Sequence, residues 1–373
     1  MTRRLLLSLP AAALAATPSD EGGFVPLFDG RTLDGWTIRD GPASAFYVRD
    51  GAIVIHDGAG FPTWLRSNRE YENFDFRCEF YIAGWSDSGI YLHAPEHGSN
   101  TRCGFHIKLF HQVDNEPTPQ SMGSVFPVVA PKKVNVRQKG WNDLRVLFDW
   151  PVLQVWTNGE QVQDLDVEAH PALRHRLRAG YLGISSLEYP LRFRNLRIRE
   201  LPPRVRWRTL YTAQSDLEAN WRVSEGEPNF RAMGAVLRAD GLGHLATKDK
   251  YADFALQMYI RGSRYHNGGV LFRTDGAGPK GQRYEIQLHS VEDAHFPTGS
   301  LYGYRRAIYP RIEHEQWYLF QLIVQGKSAL VRINGEDVME YGDLSFLGAG
   351  YIELQAHRKN YWTEYKQIFV RPL

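Results

Sequence analysis

Apolar and polar residues alternate over short stretches of this chain. In RYEIQLH at 283–289, Tyr284, Ile286 and Leu288 fall on one side and Glu285, Gln287 and His289 on the other. Side chains of a strand point alternately to its two faces. The pattern therefore predicts a strand with an apolar face toward a core and a polar row spaced about 6 to 7 Å along the other face. YIELQAH at 351–357 repeats it, with Ile352, Leu354 and Ala356 set against Glu353, Gln355 and His357. VLQVWTNGEQV (152–162) and ALVRINGEDV (329–338) read as hairpins with Asn-Gly at the turn, a pair suited to positive φ. Almost no stretch carries helical spacing. Many short strands between Gly, Pro and Asn turns, each with one apolar face, imply antiparallel sheets packed face to face, an all-β fold.

The same order of signals occurs twice. REYENFDFRCEFYI from Arg69 is matched by DKYADFALQMYI from Asp249, SGIYLH (88–93) by GGVLFR (268–273), and GFHIKLF (104–110) by RYEIQLH. GSVFP (123–127) is matched by GSLYG (299–303), Trp141 by Trp317, NGE at 158–160 by NGE at 334–336, and GYLGI at 180 by GYIEL at 350. The separation stays between about 170 and 180 residues, the mark of one ancestral domain in tandem. A boundary is expected in ELPPRVRW (200–207), where two prolines stop strand pairing. The domains are then 17–201 and 202–373. Ahead of them, MTRRLLLSLPAAALAATPSDEGG has two arginines, an apolar run and small residues in signal-peptide order. Residues 1–16 are read as a leader and the protein as exported, to the periplasm or beyond. The apolar run falls short of the about 20 residues a spanning helix needs, so no membrane span is expected.

Charge narrows the partners. The 373 residues include 44 Lys and Arg against 42 Asp and Glu. No strong field exists to recruit nucleic acid or an anionic membrane, and a small, nearly uncharged partner is expected. The 10 Trp, 19 Tyr and 19 Phe suit both a β core and stacking on sugar faces. Cys78 and Cys103 share phase with apolar neighbours and are read as two buried free thiols. His93, His97, His106 and His111 match no defined metal-ligand spacing and are read as surface histidines. The sequence names no cofactor.

Longer stretches carry a resemblance. FVPLFDGRTLDGW (24–36), SGIYLHAPEHGS, VAPKKV (129–134), NGEQV and FRNLRIREL (193–201) in the first half, with GGVLFR, YEIQ, TGSLYG, LQAH (354–357) and QIFVRPL in the second, resemble the secreted bacterial 3-keto-disaccharide hydrolase family. The resemblance covers nearly all of the mature chain and implies two tandem concanavalin-like jelly-roll β-sandwiches. Carried over by position, it implies a carbohydrate site in the second domain built from Arg273, Glu285, Gln287, Thr298, Tyr302, Gln355 and His357. His289 and Glu353 join this set by strand phase. Two positions depart from the family pattern, with Ser290 and Ala356 where aspartates are expected. The first copy carries His93, His106, Lys108, Met122 and Phe126 in place of Arg273, Glu285, Gln287, Thr298 and Tyr302, and Ser185 in the region of Gln355. It is read as a degenerate copy.

A ketone at C3 of a sugar acidifies the proton on C2, so a base can form an enolate and the oxygen on C1 can leave by β-elimination, with water adding afterwards. The route needs a base, a donor or cation for the enolate, and an acid for the leaving oxygen. His357 or Glu285 suits the base, and Arg273 or Tyr302 the enolate. The alternatives are a binding module without catalysis and a conventional glycosidase using Glu285 and Glu353 as its two carboxylates.

Overall fold

The computed structural model describes residues 22–111, 116–187, 191–204, 206–277, 281–310 and 312–373. The expected leader lies outside them. The strands of the first half are β1 (Val25–Pro26), β2 (Trp36–Arg39), β3 (Phe46–Arg49), β4 (Ala52–Ile55), β5 (Trp64–Tyr71), β6 (Asn73–Ile82), β7 (Asp87–Ala94), β8 (Phe105–Phe110), β9 (Gly140–Asp149), β10 (Val152–Thr157), β11 (Glu160–Asp166), β12 (Gly180–Ser186) and β13 (Leu191–Leu201). One sheet runs β11-β10-β9-β6-β13-β4-β3 with β1 beside β13, and the other β2-β5-β12-β7-β8.

The second half repeats this plan with β14 (Arg208–Tyr211), β15 (Trp221–Met233), β16 (Val236–Thr247), β17 (Phe254–Gly262), β18 (Asn267–Thr274), β19 (Tyr284–His289), β20 (Tyr318–Gln325), β21 (Ser328–Ile333), β22 (Glu336–Tyr341), β23 (Tyr351–Ala356) and β24 (Thr363–Pro372). Its order is β19-β18-β23-β16-β24-β17-β20-β21-β22. The two layers are one continuous sheet here because β16 serves both: Val236–Ala239 pair with β24 and Gly243–Ala246 with β23. Gly241 (φ 97°) and Gly243 (φ 138°) fall where the strand changes layer, a backbone path that side chains other than glycine resist. In the first half, β4 and β5 do the same work as separate strands.

Alternation drives both layers together. Tyr284, Ile286, Leu288, Ile352 and Leu354 enter the second core, while Phe74, Phe76, Cys78 and Phe80 enter the first. Both Asn-Gly hairpins form, with Asn158 and Asn334 at φ 50°. Cys78 and Cys103 are free and buried, in separate clusters. The histidine reading needs correction: His93, His106 and His111 are buried, and only His97 is half-buried.

The halves are docked. Cys103 and Leu177 pack with Tyr259 and Leu319, the Tyr259 hydroxyl accepts the Glu96 N–H at 2.8 Å, and Lys366 meets Glu96 at 2.8 Å. Gln321 donates to the His175 carbonyl at 3.1 Å. The outer face of the second half's β17, β20 and β24 is thus covered by the first half.

Candidate functional site

The polar residues of β19 and β23 meet on the face of the smaller layer that points away from the core. The register sets Gln287 opposite Gly269, Gly269 opposite Gln355, Gln355 opposite His244 and His244 opposite Glu225. A second row runs Glu285, Leu271, Glu353. Four steps of about 4.8 Å would separate β19 from β15 in a flat sheet. Arg283, just before β19, nevertheless reaches Glu225 on β15 at 3.7 Å. The sheet is therefore curled into a cup, and this pair meets across it.

Inside the cup, the imidazole of His244 is fixed on both sides. Its Nδ1–H donates to Glu353 Oε2 at 2.9 Å, and its Nε2 accepts from the Gln355 amide at 3.2 Å. Thr274 donates to the other Glu353 oxygen at 2.5 Å. Burial alone would raise the Glu353 carboxyl, but these hydrogen bonds outweigh it and leave the pKa lowered. Glu285 is shifted the opposite way, raised by burial against a smaller opposing pull from Arg283 and His244. Its carboxylate lies over Gly269, where a β-carbon would come within 2.7 Å of Glu285 Oε1. Gln287 donates to Asn267 at 2.5 Å. The cup thus holds two carboxylates pushed in opposite directions, one imidazole of fixed tautomer, and amides able to read hydroxyls.

Glu285, Gln287, Gln355 and Glu353 are brought together as the sequence implied. Tyr302 N–H donates to the Glu285 carbonyl at 2.9 Å, which sets Tyr302 beside β19, and its half-exposed ring packs against Phe296. His357 is exposed, and His289 is half-buried beside it, with its pKa lowered by burial and then by Arg358 and His357. Both belong to the rim.

Two expectations fail. Arg273 is fully buried and outside the cup. The register shifts between Leu271 and Thr274, and Arg273 sits at φ 50°. This bulge turns Arg273 away and puts Thr274 on the polar face instead. The Arg273 guanidinium donates to the carbonyls of Ala252 and Phe346 and to Asp253. Thr298 is also fully buried, its N–H donated to the His289 carbonyl, so its hydroxyl does not reach the surface of the cup.

His244 escaped the sequence reading. It lies on a glycine-rich stretch, and its partner Gln355 is 111 residues away. The available signal was the repeat: HLATKDKY at 244–251 matches WLRSNREY at 64–71, which puts His244 where Trp64 stands. In the first half, the equivalent face is filled. Trp64 packs edge-on against Tyr91, the His106 ring lies over Gly89, and Lys108 is buried against Asp87 at 2.5 Å. Among the described residues, no group of three or more His, Cys, Asp or Glu is placed to hold a metal ion, and no helix is long and apolar enough to cross a membrane.

Comparison with known proteins gives a consistent result. The 3-keto-alpha-glucoside-1,2-lyase-like domain matches residues 23–199 and again 206–371. A 3-keto-disaccharide hydrolase of Bacteroides thetaiotaomicron is 22% identical over 245 residues, 52% of this chain and 84% of that protein. A solved structure of a glycosyl-hydrolase candidate from Parabacteroides distasonis aligns with 50% of this chain and 99% of its own, at 21% identity and a TM-score of 0.43. The carbohydrate-binding module CBM66 of Bacillus subtilis aligns with 40% of this chain and 93% of its own, at 16% identity and a TM-score of 0.31.

Proposed function

The chain belongs to the 3-keto-alpha-glucoside-1,2-lyase-like domain family in both halves, and from that premise we propose that its second half cleaves 3-keto-glycosides by elimination. The observation that carries this reading is the pair of opposed carboxylates around His244. Glu285, its pKa raised by burial, removes the C2 proton, since a carboxylate of raised pKa is the stronger base. The electron pair left on C2 moves toward the C3 carbonyl, and Arg283 on the same face is the cation available to the enolate oxygen. As the enolate collapses, the C1–O bond breaks and the leaving oxygen takes up the proton that Glu285 removed, while His244, held by Glu353 and Gln355, keeps the polar floor of the cup in place. The products are an unsaturated 3-keto sugar and the freed alcohol. Addition of water across the new double bond completes net hydrolysis.

A two-carboxylate glycosidase fits less well, because both Glu353 oxygens already accept hydrogen bonds, from His244 and Thr274. The two departures from the family pattern do not strip the cup: Ala356 points into the core and Ser290 is buried. The test compares a glucoside with its 3-keto derivative. Only the keto form should turn over, and Glu285→Gln should lose about 10² to 10⁴ in kcat with an unchanged melting temperature. His357→Ala, on the rim, should keep most of kcat. Turnover of the plain glucoside would favour a glycosidase, and turnover of neither a binding module.

A further inference from the structure

Where the two halves meet, a cavity of about 390 Å³ is walled by the end of β5 with the Glu72 that follows it, the end of β7, the segment before β12, the linker, and the outer face of β17 and β24. This volume lies in the range of small-molecule sites. Glu70 and Glu72 flank the core residue Tyr71, so strand alternation turns both outward into this space. Among the described residues, neither carboxylate has a hydrogen bond or ion pair and the Gln257 side chain is equally unpartnered, while Trp207 has the Arg371 guanidinium over its ring at 5.8 Å. Tyr259, 5% exposed, also lines the cavity. Its hydroxyl accepts the Glu96 N–H, but the hydroxyl proton has no acceptor among the described residues. Buried polar groups of folded proteins are rarely left so.

We propose that this cavity is a second binding site, for a neutral mono- or disaccharide, formed jointly by the two halves and separate from the cup. Carboxylates accept from hydroxyls, an amide both donates and accepts, and the Trp207 ring offers an apolar face to sugar C–H groups. Arg178, itself paired with Glu168, and Arg206 stand in the same wall as the two glutamates, so the cavity mixes both signs of charge. Glu70 is exposed and Glu72 half-buried, yet enough protein surrounds both carboxyls for burial to raise them, with Glu96 adding to Glu70 and Arg178 opposing at Glu72. Hydroxyl donors from a ligand would restore what that burial removes.

The test titrates glucose, maltose and sucrose into the full chain, following heat of binding. Saturable binding with a Kd on the order of 1 mM is expected for at least one of them. Glu72→Gln, Gln257→Ala and Trp207→Ala should each weaken it by about tenfold or more, the effect of removing one buried partner, while Glu285→Gln leaves it unchanged. Far-ultraviolet dichroism and melting curves establish that each variant is folded, and the Gln257→Ala change on an outer strand face supplies a mild case. Absence of binding by all three sugars, or binding lost in Glu285→Gln and kept in the cavity variants, overturns the proposal. Turnover of 3-keto-glycosides is read separately, so failure of either reading leaves the other standing.

Discussion

Arg273 and His93 occupy equivalent places in the two halves, each at a bulge with φ near 50° and each buried. Arg273 donates to the carbonyl of Ala252, and His93 Nε2 lies 2.6 Å from the carbonyl of Glu72, 180 residues earlier. Arg273 also donates to the Phe346 carbonyl, and His93 Nδ1 lies 2.9 Å from the Leu177 carbonyl, although a neutral imidazole donates to only one of its two carbonyls. The shared role is to supply donors to loop carbonyls that the fold removes from water. Arg273→Ala should therefore destabilise the protein by about 2 to 5 kcal/mol, since it orphans two carbonyls and an ion-pair partner. Urea denaturation checks this. A variant as stable as the parent but without turnover would return Arg273 to the reaction.

Strand phase made most of the cup legible. Alternation in YEIQLH and YIELQAH places Glu285, Gln287, Glu353 and Gln355 on one face without any knowledge of pairing. It fails at β18, because the bulge after Leu271 adds one residue and reverses the phase for Arg273 and Thr274. It also fails for His244, whose role depends on a pairing of β16 with β23 that no local pattern encodes. Gly269 shows what the element adds beyond phase. It lies in the floor between Gln287 and Gln355, and the Glu285 carboxylate rests on it. Gly269→Ala should force that carboxylate aside and reduce kcat on a 3-keto-glycoside by at least about tenfold, as misplacement of a reacting group does. Ordinary kcat with the added methyl would show that Glu285 works from another position.

At the scale of the whole molecule, acid separates two contributions to stability. His93 and His266 are buried, and burial lowers each pKa from 6.5 to about 4. The unfolded chain binds these protons first, so their cost appears as pH falls from 6.5 toward 4. Glu96, at the junction of the halves, is lowered from 4.5 to about 2, chiefly by its hydrogen bond with His97 and then by Lys366, against an opposing effect of burial. A lowered carboxyl pKa stabilises the folded state above the unfolded value, and that stabilisation is lost as pH falls from 4.5 toward 2. The histidine window therefore lies above the Glu96 window. Glu96→Gln should lower the urea midpoint at about pH 7 and flatten the decline between about pH 4.5 and 3, leaving the decline between about pH 6.5 and 4.5 in place. Urea midpoints of parent and variant at these pH values decide it. Parallel curves across the lower window would mean that Glu96 does not secure the junction through its charge.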